Sequence, residues 1–139
     1  MMRGFVGLTL VMLLVGGCAA RVAEVMQTEA AGGGTRRTYA VTPEQAWSIA
    51  QTVLRREGFY AIEEHRAEGY LLATSPVTFW SGGTLAGVWI TPVGADESAV
   101  TVVTRRRQNP AVTTGLNEDD LHRRFKEAGA LTKSGKPIR

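Results

Sequence analysis

The sequence is poor in the residues that build staples and metal sites. Among 139 residues there is one cysteine, Cys18, and there are two histidines, His65 and His122. A single thiol cannot close an intramolecular disulfide, so the fold has to be held by packing. The two histidines are far apart in the chain, and no HxxxH, HExxH or CxxC spacing occurs, so no metal or other cofactor is expected. Excess charge is also scarce. Sixteen Lys and Arg stand against thirteen Asp and Glu, a net +3. That balance gives no basis for binding a phosphate backbone, and no nucleic-acid partner is expected. Finally, no apolar run reaches the roughly 20 residues of a membrane-spanning helix.

What the chain does have begins at its start. Arg3 is followed by an apolar run from Phe5 to Val15, then Gly16-Gly17-Cys18, with Arg21 close behind. A positive start, an apolar run and small residues before a cut describe a signal peptide. The stretch Leu14-Val15-Gly16-Gly17-Cys18 resembles the lipobox of bacterial lipoproteins, with Val15 three positions before the cysteine and Gly17 directly before it. The resemblance implies cleavage before Cys18, acyl chains on Cys18, and firm attachment, because several chains anchor stably where one does not. It further implies a membrane-anchored lipoprotein facing the periplasm, at the outer membrane. Removal of residues 1–17 leaves 122 residues and a net charge of +2, since Arg3 is the only charge before Cys18. That length suits one domain with a modest core.

Residues 18–35 read as a flexible tether. They show no cap and no clear apolar stripe, and Gly32-Gly33-Gly34 breaks any helix. As a coil, such a segment reaches roughly 20–25 Å. The same glycines lack the Lys-Ser/Thr and the preceding strand of a phosphate loop. The folded domain is expected over 36–131, followed by a disordered basic tail over 132–139.

Within the domain, Thr38 to Val41 reads as a short strand. Thr42-Pro43-Glu44-Gln45 then gives an N-cap, a proline at the first helical position and a capping box. Ala46, Ile49, Ala50 and Val53 recur at i, i+3, i+4 and i+7, and Gly58 stops the helix. Strands follow at Phe59–Glu64 and Tyr70–Ser75, joined by a polar turn ending in Gly69, then at Ala86–Thr91 and Ala99–Arg106. Pro92 is expected to close the third of these. Asn117 caps a second helix with Asp120 three residues on, and Leu121, Phe125 and Ala128 form its stripe, with His122 on its surface and Gly129 as its stop. The order β-α-β-β-β-β-α predicts a single α+β domain: an antiparallel sheet of about four to five strands with two helices packed on one face.

Chemistry-bearing constellations are few. Glu63 and Glu64 are adjacent on a strand and so face opposite sides. Glu118-Asp119-Asp120 suits a helix N-terminus. No G-x-S-x-G occurs, and Cys18 is taken up by acylation, so no enzyme is expected. Arg105-Arg106-Arg107 reads either as a solvated strand end or as a contact for anionic head groups. Phe79 and Trp80, beside Ser81-Gly82-Gly83 in a long connection, read as a contact surface for a partner, or as a lid on an open sheet end.

Thr42-Pro43-Glu44-Gln45-Ala46-Trp47, Gly58-Phe59 and Glu68-Gly69-Tyr70, in this order, resemble the small α+β domains of bacterial envelope lipoproteins, of the type repeated in BamC, an accessory lipoprotein of the outer-membrane β-barrel assembly machine. The resemblance implies the α+β fold and suggests binding, as an accessory or scaffold component of an outer-membrane or envelope complex with a protein partner. The other reading is a periplasmic carrier or sensor, with a small apolar ligand held between helix and sheet.

Overall fold

A computed structural model of the chain describes residues 16–76, 83–106 and 117–135. Eight elements follow one another: helix α1 (Gly16–Ala30), strand β1 (Thr35–Tyr39), helix α2 (Pro43–Arg56), strands β2 (Ala61–His65), β3 (Tyr70–Thr74), β4 (Thr84–Gly94) and β5 (Glu97–Arg106), and helix α3 (Glu118–Lys133). The strands make one antiparallel sheet in the order β1-β5-β4-β3-β2. The α+β class and the single antiparallel sheet agree with the sequence.

Local signals shape α2 and α3 as their residues dictate. The Thr42 hydroxyl accepts from Gln45 N, and the Gln45 side chain accepts from Thr42 N, closing the capping box. Asn117 and Asp120 make the same reciprocal pair at α3. Past α2, Gly58 takes φ +87 and Phe59 N reaches back to Leu54 O at 3.0 Å, so the chain turns sharply into β2.

Strand alternation then divides the sheet into two faces. Leu71 and Ala73 of β3, Ala86, Val88 and Ile90 of β4, and Val100 and Val102 of β5 point to one side. Ile49, Val53 and Leu54 of α2 and Leu121 and Phe125 of α3 pack there. This is the main core, and both expected helices lie on it.

The helix count needs correction, and the correction falls on the segment expected to be a tether. Residues 16–30 form α1, and it packs on the opposite face of the sheet, against Leu72, Leu85, Trp89 and Val103. Its apolar stripe is only Val22, Val25 and Met26, set among Arg21, Glu24 and Glu29. Such a short stripe has no meaning in the local sequence. It acquires one because the sheet offers a matching apolar patch with a notch in it. Gly87 is that notch: a Cβ there would lie 2.8 Å from Val25 Cγ1 and 2.5 Å from the Trp89 ring. Gly32-Gly33-Gly34 is accordingly a tight turn from α1 into β1. Gly34 has φ +85 and is pressed so closely on β5 that a Cβ would come within 2.7 Å of Val103 Cγ2.

Other boundaries shift for physical reasons. β1 occupies Thr35–Tyr39, because its pairing with β5 runs from Thr35 opposite Val102 to Tyr39 opposite Ser98; Val41 lies beyond it, buried in the core. Pro92 does not close β4. The pairing with β3 ends at Trp89 opposite Tyr70, so Pro92 has a ladder partner on one side only, and the register slips between Pro92 and Gly94. Gly129 does not end α3, which runs on to Lys133, so the expected tail starts inside a helix. Residues 136–139 lie outside the described residues.

Candidate functional site

Cys18 belongs to the first turn of α1, one helical segment away from the sheet-packed Val25. The sequence did not foresee that its neighbourhood is helical. Phe79 and Trp80 lie outside the described residues. Glu63 and Glu64 are both exposed and stand opposite Leu72 and Leu71, on different faces of the sheet. Arg105 is not a solvated strand end. Its Nε donates to Glu24 Oε1 at 3.0 Å and its Nη2 to Thr28 Oγ1 at 2.7 Å, so it clamps α1.

His122 corrects the expectation of a helix-surface residue, for it is 0% exposed. It lies between α3 and β1 because Thr35 and Tyr39, both on the α3 side of β1, offer it polar partners. Nε2 donates to Thr35 O at 2.7 Å, which leaves Nδ1 unprotonated to accept from the Tyr39 hydroxyl at 2.6 Å. The Tyr39 hydroxyl also lies 3.2 Å from His122 O, and its ring packs on Phe125 at 4.6 Å. Around this pair, Glu118 accepts from Thr35 Oγ1 at 2.7 Å and from Thr104 N at 3.3 Å, and Arg37 pairs with Asp119 at 2.8 Å. Burial lowers the pKa of His122, with the Thr35 carbonyl opposing and Arg37 adding to the shift. Burial likewise pushes Tyr39 up to about 12, against the pull of Arg37. Both imidazole nitrogens are engaged and no ring edge is open to solvent. The cluster has the polar groups of a catalytic site but the connectivity of a clasp that fastens α3 to the sheet edge.

A second polar knot fastens α2. The Arg66 guanidinium lies 5.0 Å over the Trp47 ring and reaches Glu44 at 3.5 Å and Glu64 at 3.4 Å. On the α1 side, His65, Tyr70 and Trp89 stack in a row, with centroids 4.6 and 5.6 Å apart.

Two hollows test what the domain could hold. Beneath α2 and α3, the space against the sheet is about 10 Å³, lined by Val53, Leu54, Val88 and Phe125 among others. That is room for about one water, in apolar surroundings. On the outside, a hollow of about 290 Å³ runs between α2 and α3 over Val53 and Ala128, with Arg56, Glu57, Arg124 and Glu127 around it. Arg124 of α3 reaches across it to Glu57 at the end of α2 at 3.0 Å, and pairs with Glu127 on its own helix at 3.5 Å. Among the described residues, no group of three or more His, Cys, Asp or Glu could hold a metal ion, and no helix is long and apolar enough to cross a membrane. The chain matches no known family model, and no curated protein matches it.

Proposed function

We propose that this chain is a lipid-anchored protein of the bacterial envelope that acts by binding, as an accessory or scaffold component of an outer-membrane or envelope complex. The observation that carries the reading is Leu14-Val15-Gly16-Gly17-Cys18 behind Arg3 and the apolar run from Phe5. The single cysteine of the chain stands where a lipobox requires one, and acyl chains on Cys18 provide the membrane attachment. The likeness of residues 42–70 to BamC-type domains supports an accessory role, and Phe79 and Trp80 are the proposed partner contact.

The filled interior favours recognition on the outside of the domain. A carrier of a small apolar ligand between helix and sheet needs a cavity of roughly 300 Å³ or more. The space there is about 10 Å³.

Palmitate labelling and membrane fractionation of the wild type and of Cys18→Ala test the anchor. The variant is expected to lose the label and to leave the membrane fraction or stay unprocessed; unchanged labelling and fractionation refute the anchor. Crosslinked affinity capture from the native cell tests the partner, with Phe79→Ala/Trp80→Ala expected to lose it. Capture of bulk lipoproteins alone counts against a scaffold.

A further inference from the structure

We propose that the outer edge of β2 is a docking site for an extended segment of a partner protein, which adds to the sheet as a further strand and carries two neighbouring basic residues. This rests on the reading that the chain acts by binding a protein, and not on the anchor at Cys18.

The sheet has two edge strands, β1 and β2, and they differ. At β1, the Thr35 carbonyl accepts from His122 Nε2 at 2.7 Å, and the Thr35 hydroxyl donates to Glu118 at 2.7 Å, so α3 is fastened to that edge. β2 pairs with β3 on one side, residue for residue from Ala61 opposite Thr74 to His65 opposite Tyr70. No strand among the described residues pairs with its other side. The N–H and C=O groups that point outward there are a template for strand addition. Proline, lysine and bulges commonly blunt such an edge. Residues 61–65 contain neither proline nor lysine, and their register with β3 is unbroken.

Two carboxylates decide what can pair with this edge. The side chains of Glu63 and Glu64 are 71% and 33% exposed, and alternation sends Glu63 to the α1 face and Glu64 to the α2–α3 face. Across from them, β3 presents only Leu72 and Leu71. Over the hairpin, residues 60–69, Glu63, Glu64 and Glu68 stand against Arg66 alone. That arginine is shared between Glu64 and Glu44 of α2, while Glu63 has only the His65 ring, at 3.5 Å. The hairpin therefore carries an acidic excess at its open edge. A second copy is a poor match. Antiparallel pairing of β2 with itself sets Glu63 against Glu63, or Glu63 against Glu64 one register away, and like charges directly opposite destabilise a ladder. A strand with two basic residues in succession sends one to each face and meets both carboxylates. The same acids thus reject one partner and accept another. Ile62, beside Glu64 on its face, and Tyr60, 66% exposed just before the strand, add apolar surface to the contact.

The test uses the full chain in neutral detergent micelles and three labelled peptides. One is Thr-Val-Arg-Arg-Val-Thr, and one is its acidic counterpart, Thr-Val-Glu-Glu-Val-Thr. The third, Thr-Pro-Arg-Arg-Pro-Thr, keeps the charge but cannot donate to a ladder at its prolines. Fluorescence anisotropy reads binding, and hydrogen exchange at residues 61–65 reads its place. The first peptide is expected to bind about tenfold more tightly than either control and to slow exchange at 61–65. Glu63→Lys/Glu64→Lys is expected to reverse the preference, so that the acidic peptide binds about tenfold more tightly than the Arg-Arg peptides. Should that double change disturb the fold, Glu63→Gln/Glu64→Gln is expected to abolish the preference without reversing it. Equal binding of the two Arg-Arg peptides, or unchanged exchange at 61–65, overturns the docking edge. Affinity capture from the native cell separates the edge from the reading beneath it. A partner kept by Glu63→Lys/Glu64→Lys but lost by Phe79→Ala/Trp80→Ala overturns the edge and leaves the binding role standing. Capture of bulk lipoproteins alone overturns both.

Discussion

The two faces of the sheet are built on different scales. The α2–α3 face joins eighteen buried residues from seven stretches of chain, whereas the α1 face rests on five, Val25, Leu72, Leu85, Trp89 and Val103. The larger face is assembled from helices that carry their own start signals and broad stripes. The smaller one depends on a helix with a three-residue stripe, held by a glycine notch and one arginine. The first is the stability of the fold. The second is an attachment to it, and the two should respond differently to damage.

The largest expected effect lies on the main face. Leu54 is 1% exposed at the centre of that core. Leu54→Ala should cost about 2–5 kcal/mol, and the loss should appear in every probe at once. Urea unfolding followed by far-ultraviolet circular dichroism and by hydrogen exchange checks this. A loss of protection confined to α2 would break the view of this face as the cooperative unit.

Gly87→Ala attacks the other face. The new Cβ would meet Trp89 and Val25 at under 3 Å, and overpacking of this kind costs about 1–3 kcal/mol. Here the strain has an outlet, since α1 can lift away. Amides 21–30 should lose their exchange protection while those of α2 keep theirs. If α2 loosens equally, the two faces are one unit and the contrast fails.

The clasp between α3 and β1 sharpens the comparison with pH. His122 has a lowered pKa in the fold, so above its ordinary 6.5 neither state binds the extra proton. As pH falls below that value, the unfolded chain takes up a proton that the folded one excludes, and stability declines. Tyr39 acts at the other end. Its folded pKa of about 12 stands above the ordinary 10, so stability is intact below pH 10 and falls as pH rises toward 12. Urea midpoints across pH should show an acid slope that His122→Gln reduces and an alkaline slope that Tyr39→Phe reduces. Because the clasp belongs to the main face, α1 should not detach before the rest of the domain on either limb.

Much of the main face was legible in the sequence, because its information is local. The capping boxes at Thr42 and Asn117, the stripe from Ala46 to Val53 and the Gly69 turn each act within a few residues. What was not legible depends on partners far along the chain. Val25 finds Gly87, Arg105 finds Glu24, and His122 finds Thr35 and Tyr39, none of them neighbours in sequence. Gly129 misled for the opposite reason, since a local rule was overruled by the packing of α3 beyond it. It offers the smallest prediction. A Cβ at Gly129 would make ordinary contacts, 3.8 Å from Val41 and 4.0 Å from Ile49, so Gly129→Ala should raise stability by up to about 1 kcal/mol through helix propensity alone. A higher melting temperature with unchanged α1 protection would place that gain on the main face. Of the candidate site, the helix that carries Cys18 was not readable, because its short stripe gains meaning only from the distant sheet patch it packs on.

The distance along the chain between α1 and its seat has a bearing on timing. Leu85, Trp89 and Val103 follow Val25 by 60, 64 and 78 residues. Until β4 and β5 have paired, residues 16–30 have no surface to dock on, and a helix this short is marginal on its own. α1 is therefore the earliest described element to be synthesised and among the last to settle. In a precursor cut beside Cys18, the scissile bond would stay in open chain while the sheet forms, and would be drawn into a helix once the fold is complete.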